Sequence, residues 1–195
     1  MGDLDMIVKK TTLPIWWDEI KAMPISHALW GTTYTPHTWV KLAYVENDAV
    51  YVNMFVAEKN PKAVYENDQD PVYEDSCLEC FINFNPSKNE NYINFEMNAN
   101  GAMLVGYGKD RKDRQRLDFN FHPYIFKNEQ GWGLTLIIPL DFIVKYYGEI
   151  ASSWQANFYK CGDKCDKPHF LSWSEIKEDK PNFHVSKWFG KLECE

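Results

Sequence analysis

No stretch of this sequence comes near the roughly 20 consecutive apolar residues that cross a bilayer. The longest apolar runs are broken within a few positions by Pro, Asn or charge, so a membrane-spanning helix is excluded and no membrane partner is expected. Basic charge is in the minority, with 21 Lys and Arg against 28 Asp and Glu and a net charge of −7. No global positive field exists to collect nucleic acid or anionic lipid. Cysteine is sparse and odd in number, five in 195 residues, which suits reduced thiols in a chain large enough to fold without staples. The opening MGDLDMIVKK is acidic where a signal peptide needs a basic region, and no apolar core follows it. A cytoplasmic location is therefore expected, export requiring a leader already removed. The G-x-S-x-G, H-E-x-x-H and P-loop patterns are all missing, as are internal repeats and low-complexity tracts.

What is abundant is hydrophobic and aromatic surface, 45% and 16% of residues with 8 Trp, 11 Tyr and 12 Phe, enough for a sizeable core. From Trp39 onward, short β-favouring runs alternate with Asn, Asp, Gly and Pro clusters, the pattern of an all-β fold. Runs 39–45 and 49–57 flank Glu46-Asn47-Asp48 and pair as a hairpin. Runs 76–84, 91–99 and 102–108 follow, the last two joined at the tight-turn dipeptide Asn100-Gly101. Runs 117–126 and 131–139 form another hairpin, and Pro139 opens one short helix ended by Gly148. Runs 154–160, 169–173 and 187–193 complete a two-sheet antiparallel β-sandwich, jelly-roll or immunoglobulin-like, in one domain spanning 1–195. The polar loop 58–75 is long for a compact domain and reads as functional, whereas 109–116 reads as a solvated charged loop able to lend an arginine.

Because side chains alternate across a strand, each run divides into two faces. Leu78, Cys80, Ile82 and Phe84 form an apolar set, leaving Cys77, Glu79, Phe81 and Asn83 opposite. Ile93, Phe95 and Met97 oppose Tyr92, Asn94, Glu96 and Asn98, and Trp154, Ala156 and Phe158 oppose Gln155, Asn157 and Tyr159. A face of amides, carboxylates and tyrosines suits a neutral polyhydroxylated ligand: the polar groups bond hydroxyls while aromatic rings pack on the apolar faces of a sugar. The same face could instead be an ordinary solvated sheet surface. The Cys77-x2-Cys80 and Cys161-x3-Cys165 spacings invite a four-thiolate zinc site, but an odd separation on a strand points Cys77 and Cys80 to opposite faces. No metal site is expected from them. Glu79 and Glu96, sharing a face, form the alternative of a glycoside-processing acid and base.

The order YTPHTWVKLAYVENDAVYVNMFVAEKNP, VYEDSCLECFINF, YINFEMNANG, HFLSWSEI and KPNFHVSKWFGKLE resembles the family 9 carbohydrate-binding modules and their bacterial relatives over about residues 25–193. The resemblance implies a β-sandwich that binds a mono- or oligosaccharide without cleaving it, two aromatic rings clamping the sugar. By this likeness Tyr73, where the family has Trp, and Trp173 form the clamp. Glu79, Asn94, Glu96 and Asn98 hold hydroxyls, and Arg111 or Arg114 supplies a cation beside Glu96, which stands where basic or amide residues are expected. The family likeness also makes structural calcium an option, with Asp68, Asp70, Glu74 and Asp75 as candidate oxygen ligands, and a carbohydrate-active enzyme an optional partner. No other cofactor is expected. Related sandwiches that hold haem suggest a further reading, Met97 with His169 or His184 as axial ligands.

Overall fold

The computed structural model describes residues 6–195. Fourteen strands occur in these residues: β1 (Met6–Thr11), β2 (Met23–Pro24), β3 (His27–Ala28), β4 (Thr38–Val45), β5 (Ala49–Val56), β6 (Cys77–Asn83), β7 (Tyr92–Asn98), β8 (Met103–Gly108), β9 (Gln115–Arg116), β10 (Tyr124–Lys127), β11 (Trp132–Pro139), β12 (Ser153–Gly162), β13 (His169–Ser172) and β14 (Gly190–Cys194). One helix, α1 (Leu140–Tyr147), starts after Pro139 and ends at Gly148, whose φ of 75° closes it. All three expected hairpins form. Asn47 takes φ 61° between β4 and β5, and Gly101 takes φ 87° between β7 and β8, conformations for which Asn and Gly carry little steric penalty. Run 117–126 is irregular until Tyr124, so β10 is shorter than expected.

The fold is all-β with a single short helix, as the sequence indicates, but its strands are not sorted into two separate antiparallel sheets. Eleven of them follow one curled path, β10-β11-β5-β4-β1-β14-β12-β6-β7-β8-β9, while β2 pairs beside β4, β13 beside β12 and β3 beside β13. The joint is β1, a strand that the sequence pattern does not single out. Met6–Val8 pairs in parallel with Leu192–Cys194, and Lys9–Thr11 pairs in parallel with Ala43–Val45, so one strand serves both arms.

The arms close over a common core. Val40, Leu42, Val52, Met54, Leu134 and Leu136 from one arm pack with Leu78, Cys80, Ile82, Phe95, Met97 and Phe158 from the other. Each is nearly or fully removed from solvent, worth about 1.5–3 kcal/mol per large side chain. The opposite face of β6, β7 and β12 is covered as well. A second cluster joins Cys77, Phe81, Tyr92 and Tyr159 to Leu29, Val72, Ile176 and Phe183 from the surrounding loops. Residues 77–83 and 92–98 are consequently buried on both faces, so this face is the floor of an enclosure and not the alternative, an ordinary solvated surface.

Candidate functional site

The enclosure holds a cavity of about 430 Å³. Its floor is set by strand register. Glu79 lies opposite Glu96 on one side and Tyr159 on the other, so the alternation that buries Leu78 and Cys80 in the main core delivers both carboxyls to the cavity. They are 2% and 3% exposed.

Arg114 reaches this floor from the loop after β8. Two glycines on the same face of β8 make room for it. A β-carbon at Gly106 would stand 2.6 Å from Arg114 Cδ and 2.7 Å from Asn94 Oδ1, and one at Gly108 would stand 2.7 Å from Arg114 Cα. The loop is fixed by Asp110, whose Oδ1 accepts from the Lys112 and Asp113 amides at 2.7 and 3.0 Å, an Asx turn. Arg114 then donates to Glu96 Oε1 at 2.9 Å and to His184 Nε2 at 3.1 Å. A guanidinium only donates, so His184 Nε2 is the acceptor, and the proton on Nδ1 points to Tyr92 Oη at 2.8 Å. Asn94 Nδ2 adds a second donor to Glu96 Oε1 at 3.0 Å.

These contacts set the charges. Burial raises Glu79 well above the ordinary carboxylate range, with the neighbouring Glu96 adding to the effect. The Cys161 thiol, donating to Glu79 Oε1 at 2.9 Å, opposes the shift only in part. Glu96 is raised by burial to about 7 despite the adjacent Arg114. Burial, then the Arg114 charge, depresses His184 to about 3, so it is neutral at physiological pH. Asp163, at the solvent-facing rim, is raised to about 6 by the surrounding protein against the pull of Arg111.

Aromatic rings form the walls. Tyr73 sits on a short turn at Val72–Glu74 at the end of loop 58–75. Its carbonyl accepts from the Asp163 amide at 3.1 Å, which brings ring and carboxylate to one rim. Asp75 secures the loop, its Oδ2 accepting from the Val64 and Tyr65 amides at 2.9 and 3.0 Å. Trp30, Phe170 and Phe183 line the cavity as well. Trp30 meets Phe170 edge-on at 5.6 Å, and Phe183 stacks on Tyr159 at 4.0 Å.

Of the residues anticipated from sequence, Tyr73, Glu79, Glu96 and both arginine candidates, Arg111 and Arg114, line the cavity. Asn94 stands one step behind, holding Glu96. Two others are elsewhere. Asn98 shares the face but lies at its far end, where it donates to Tyr65 O and Asp75 Oδ2 and accepts from the Asn100 and Ala102 amides. It caps the β7–β8 turn. Trp173 misses the cavity by one residue of alternation. Tyr159 pairs with Ser172 and Cys161 with Phe170, so Phe170 shares the cavity face, while Leu171 and Trp173 fall on the main-core side. Trp173 packs on Phe158 and over Gly190. Sequence reasoning did not point to Trp30, Phe170, Asp163 or Phe183 as cavity residues, and named His184 only as an optional haem ligand. Phe170 alone carried a readable signal, its even spacing from Ser172 in a short strand.

Haem, zinc and calcium binding each meet the same geometry. Met97 belongs to the main core, opposite Leu78, while His184 stands on the other face of β7 and His169 is bonded to Lys160 and the Lys167 carbonyl. Met97 and His184 therefore cannot ligate one haem iron. Cys80 lies in the main core and Cys77 on the cavity side, so strand parity rules out the four-thiolate zinc site. The acidic calcium candidates are dispersed among protein donors. Asp68 accepts from the Met103 amide, Asp70 from Asn67, Glu74 from Tyr65 and Asp75 from the loop amides. Among the described residues no three of them gather to metal-binding distance, so this set does not fit a shared calcium shell.

Among curated proteins no sequence matches this chain. Solved structures do. A Bacteroides uniformis protein provisionally described as carbohydrate-binding superposes with a TM-score of 0.86 at 26% identity, covering 100% of both chains. A family 9 carbohydrate-binding module from Caldicellulosiruptor kristjanssonii, in complex with cellotriose, gives 0.68 at 11% identity, covering 97% of this chain and 93% of that one. The corresponding glucose complex gives 0.68 at 11% identity over 98% and 95%. The sequence model of carbohydrate-binding family 9 matches residues 12–194, and the chain belongs to that family.

Proposed function

We propose that the 430 Å³ cavity binds one sugar, or the end of an oligosaccharide, without cleaving it. The observation that carries this reading is the division of labour in the cavity: aromatic rings on the walls, hydroxyl-bonding groups on the floor. Tyr73, Trp30, Phe170 and Phe183 in the lining offer apolar surface to a pyranose ring. Glu79, Glu96 and Arg114 on the floor, with Arg111 and Asp163 nearer solvent, supply both donors and acceptors. A carbohydrate-active enzyme that this module would hold near its substrate is the natural partner.

The two carboxyls do not favour hydrolysis. Glycoside cleavage uses an acid and a base flanking the scissile bond, whereas Glu79 and Glu96 are cross-strand neighbours on one floor. Glu96 is moreover held by Arg114 and Asn94.

Titration calorimetry with glucose, cello-oligosaccharides and a panel of other neutral sugars tests the reading, since the similar modules are complexes with glucose and cellotriose. Tyr73→Ala is expected to weaken binding about tenfold, a loss of about 1.4 kcal/mol. Trp173→Ala is expected to leave affinity intact while lowering the unfolding midpoint. Silence across the panel, or the reverse ranking of the two variants, would overturn the assignment.

A further inference from the structure

The sheet separates the cysteines that a four-thiolate site would require, and the same alternation gathers a different trio. Cys77 and Cys161 are directly opposed on β6 and β12, and Glu79 follows Cys77 on the same face. Their ligand atoms lie within 4.8 Å of one another, the one such group of His, Cys, Asp or Glu among the described residues. All three side chains are essentially buried, yet Glu79 and Cys161 border the cavity, which leaves the trio one open side. We propose that Cys77, Glu79 and Cys161 form a binding site for a single borderline-soft divalent cation, of the zinc or cadmium type, whose fourth position faces the cavity.

The donor set selects this class of ion. Two sulfurs and one oxygen suit zinc or cadmium, whereas calcium and magnesium require oxygen throughout. Bonds of about 2.3 Å to sulfur and about 2.0–2.2 Å to oxygen fit ligand atoms already this close. Electrostatics point the same way. Arg114 is committed to Glu96 and His184, and Glu79 meets a thiol rather than a cation. An ion would supply the positive charge that the fold omits beside this buried carboxyl. Binding replaces both thiol protons, and the Glu79 proton when it carries one, all released to solvent. No electron moves. Apparent affinity therefore rises with pH, up to about tenfold per pH unit for each proton released.

The site goes beyond the sugar reading, although it shares Glu79 with it. The test is titration of the native chain with Cd2+, followed through the ultraviolet thiolate-to-cadmium charge-transfer band. One ion per chain with the intensity of two thiolates is expected. Cys77→Ser and Cys161→Ser should each weaken binding at least about tenfold, while Cys80→Ser, on the opposite face, and Cys165→Ser, in the loop, retain it. Absence of the band in the native chain would overturn the proposal without recourse to any variant. So would a band that survives both Cys77→Ser and Cys161→Ser, or one that requires Cys165. Sugar titration in chelator tests the cavity reading by itself, so the two can fail separately.

Discussion

Replacing Glu79 by Gln probes whether the cavity floor carries its proton. The carboxyl is 2% exposed and accepts from the Cys161 thiol at 2.9 Å. Glutamine keeps a carbonyl for that thiol and an N–H where the protonated carboxyl has its O–H, so packing and hydrogen bonding are conserved. What disappears is titration. Burial holds Glu79 well above its ordinary value in the folded chain, whereas in the unfolded chain a glutamate ionises near 4.3. A raised group contributes stability that is complete below the unfolded value and is lost as pH climbs toward the folded one. Over that window the native chain should lose up to about 1.4 kcal/mol per pH unit that Glu79→Gln does not lose. Urea unfolding of both chains at pH 5, 6 and 7 should show the variant gaining on the native protein by up to about 3 kcal/mol across the series. Parallel stability profiles would refute the reasoning, because they would mean that Glu79 titrates alike in the folded and unfolded states.

Arg114→Met should be costly in two assays: it strands the buried Glu96 carboxyl, at about 3–5 kcal/mol in chemical denaturation, and it should lower sugar affinity in calorimetry by more than the Tyr73 change. Gly106→Ala should mimic this more mildly, since the new methyl would meet Arg114 Cδ at 2.6 Å; a smaller fall in both unfolding midpoint and affinity is expected. His184 is depressed to about 3, so the folded chain keeps it neutral while the unfolded chain takes a proton below about 6.5. Its stability contribution is full above that value and is lost as pH falls, and His184→Gln should flatten the acid limb between pH 6.5 and 4.5 by up to about 1.4 kcal/mol per unit. Lys160 is fully buried against His169 and 3.6 Å from Glu58, so Lys160→Met should lower stability by about 3–5 kcal/mol through the unpaired Glu58, measured by urea unfolding.

How far the sequence could be read depended on whether a feature is local. Strand alternation is local, and it correctly assigned Glu79, Glu96, Asn94 and Tyr159 to one face and Leu78, Phe95 and Met97 to the other. Turn chemistry is local too, and Asn47, Gly101 and Gly148 each sit where a positive φ is required. The parallel pairing of β1 with two partners is not. MIVKKT has the composition of a strand, but nothing in it says that its halves join different arms. Trp173 lies outside the cavity for a subtler reason: the tryptophan is conspicuous, whereas the side of the sheet it occupies follows from the register of β13 with β12, which only the pairing reveals. Phe183 and His184 reach the cavity from a loop without periodicity, held by Tyr159 Oη donating to Phe183 O at 3.1 Å and by Asn157 bonding Ser174.

The charges explain why the cavity should prefer neutral sugars to acidic ones. It contains two guanidinium groups against three carboxyls, and of the two only Arg111 holds no ion pair among the described residues. Arg114 is engaged by Glu96 and His184, and Arg111 stands in the field of Asp163. An anionic sugar would therefore enter beside Glu79, Glu96 and Asp163 with Arg111 alone to offset three carboxyls, and would drive them further toward protonation. A neutral sugar needs no such adjustment. Its hydroxyls can donate to Glu96 and accept from Arg114 or a protonated Glu79, so each floor group finds a partner at constant net charge. Glucose should consequently bind more tightly than glucuronate in calorimetry at pH 7, and the gap should narrow as pH falls through about 6, where Asp163 takes up its proton. A preference for glucuronate at pH 7 would contradict the electrostatic reading of the floor.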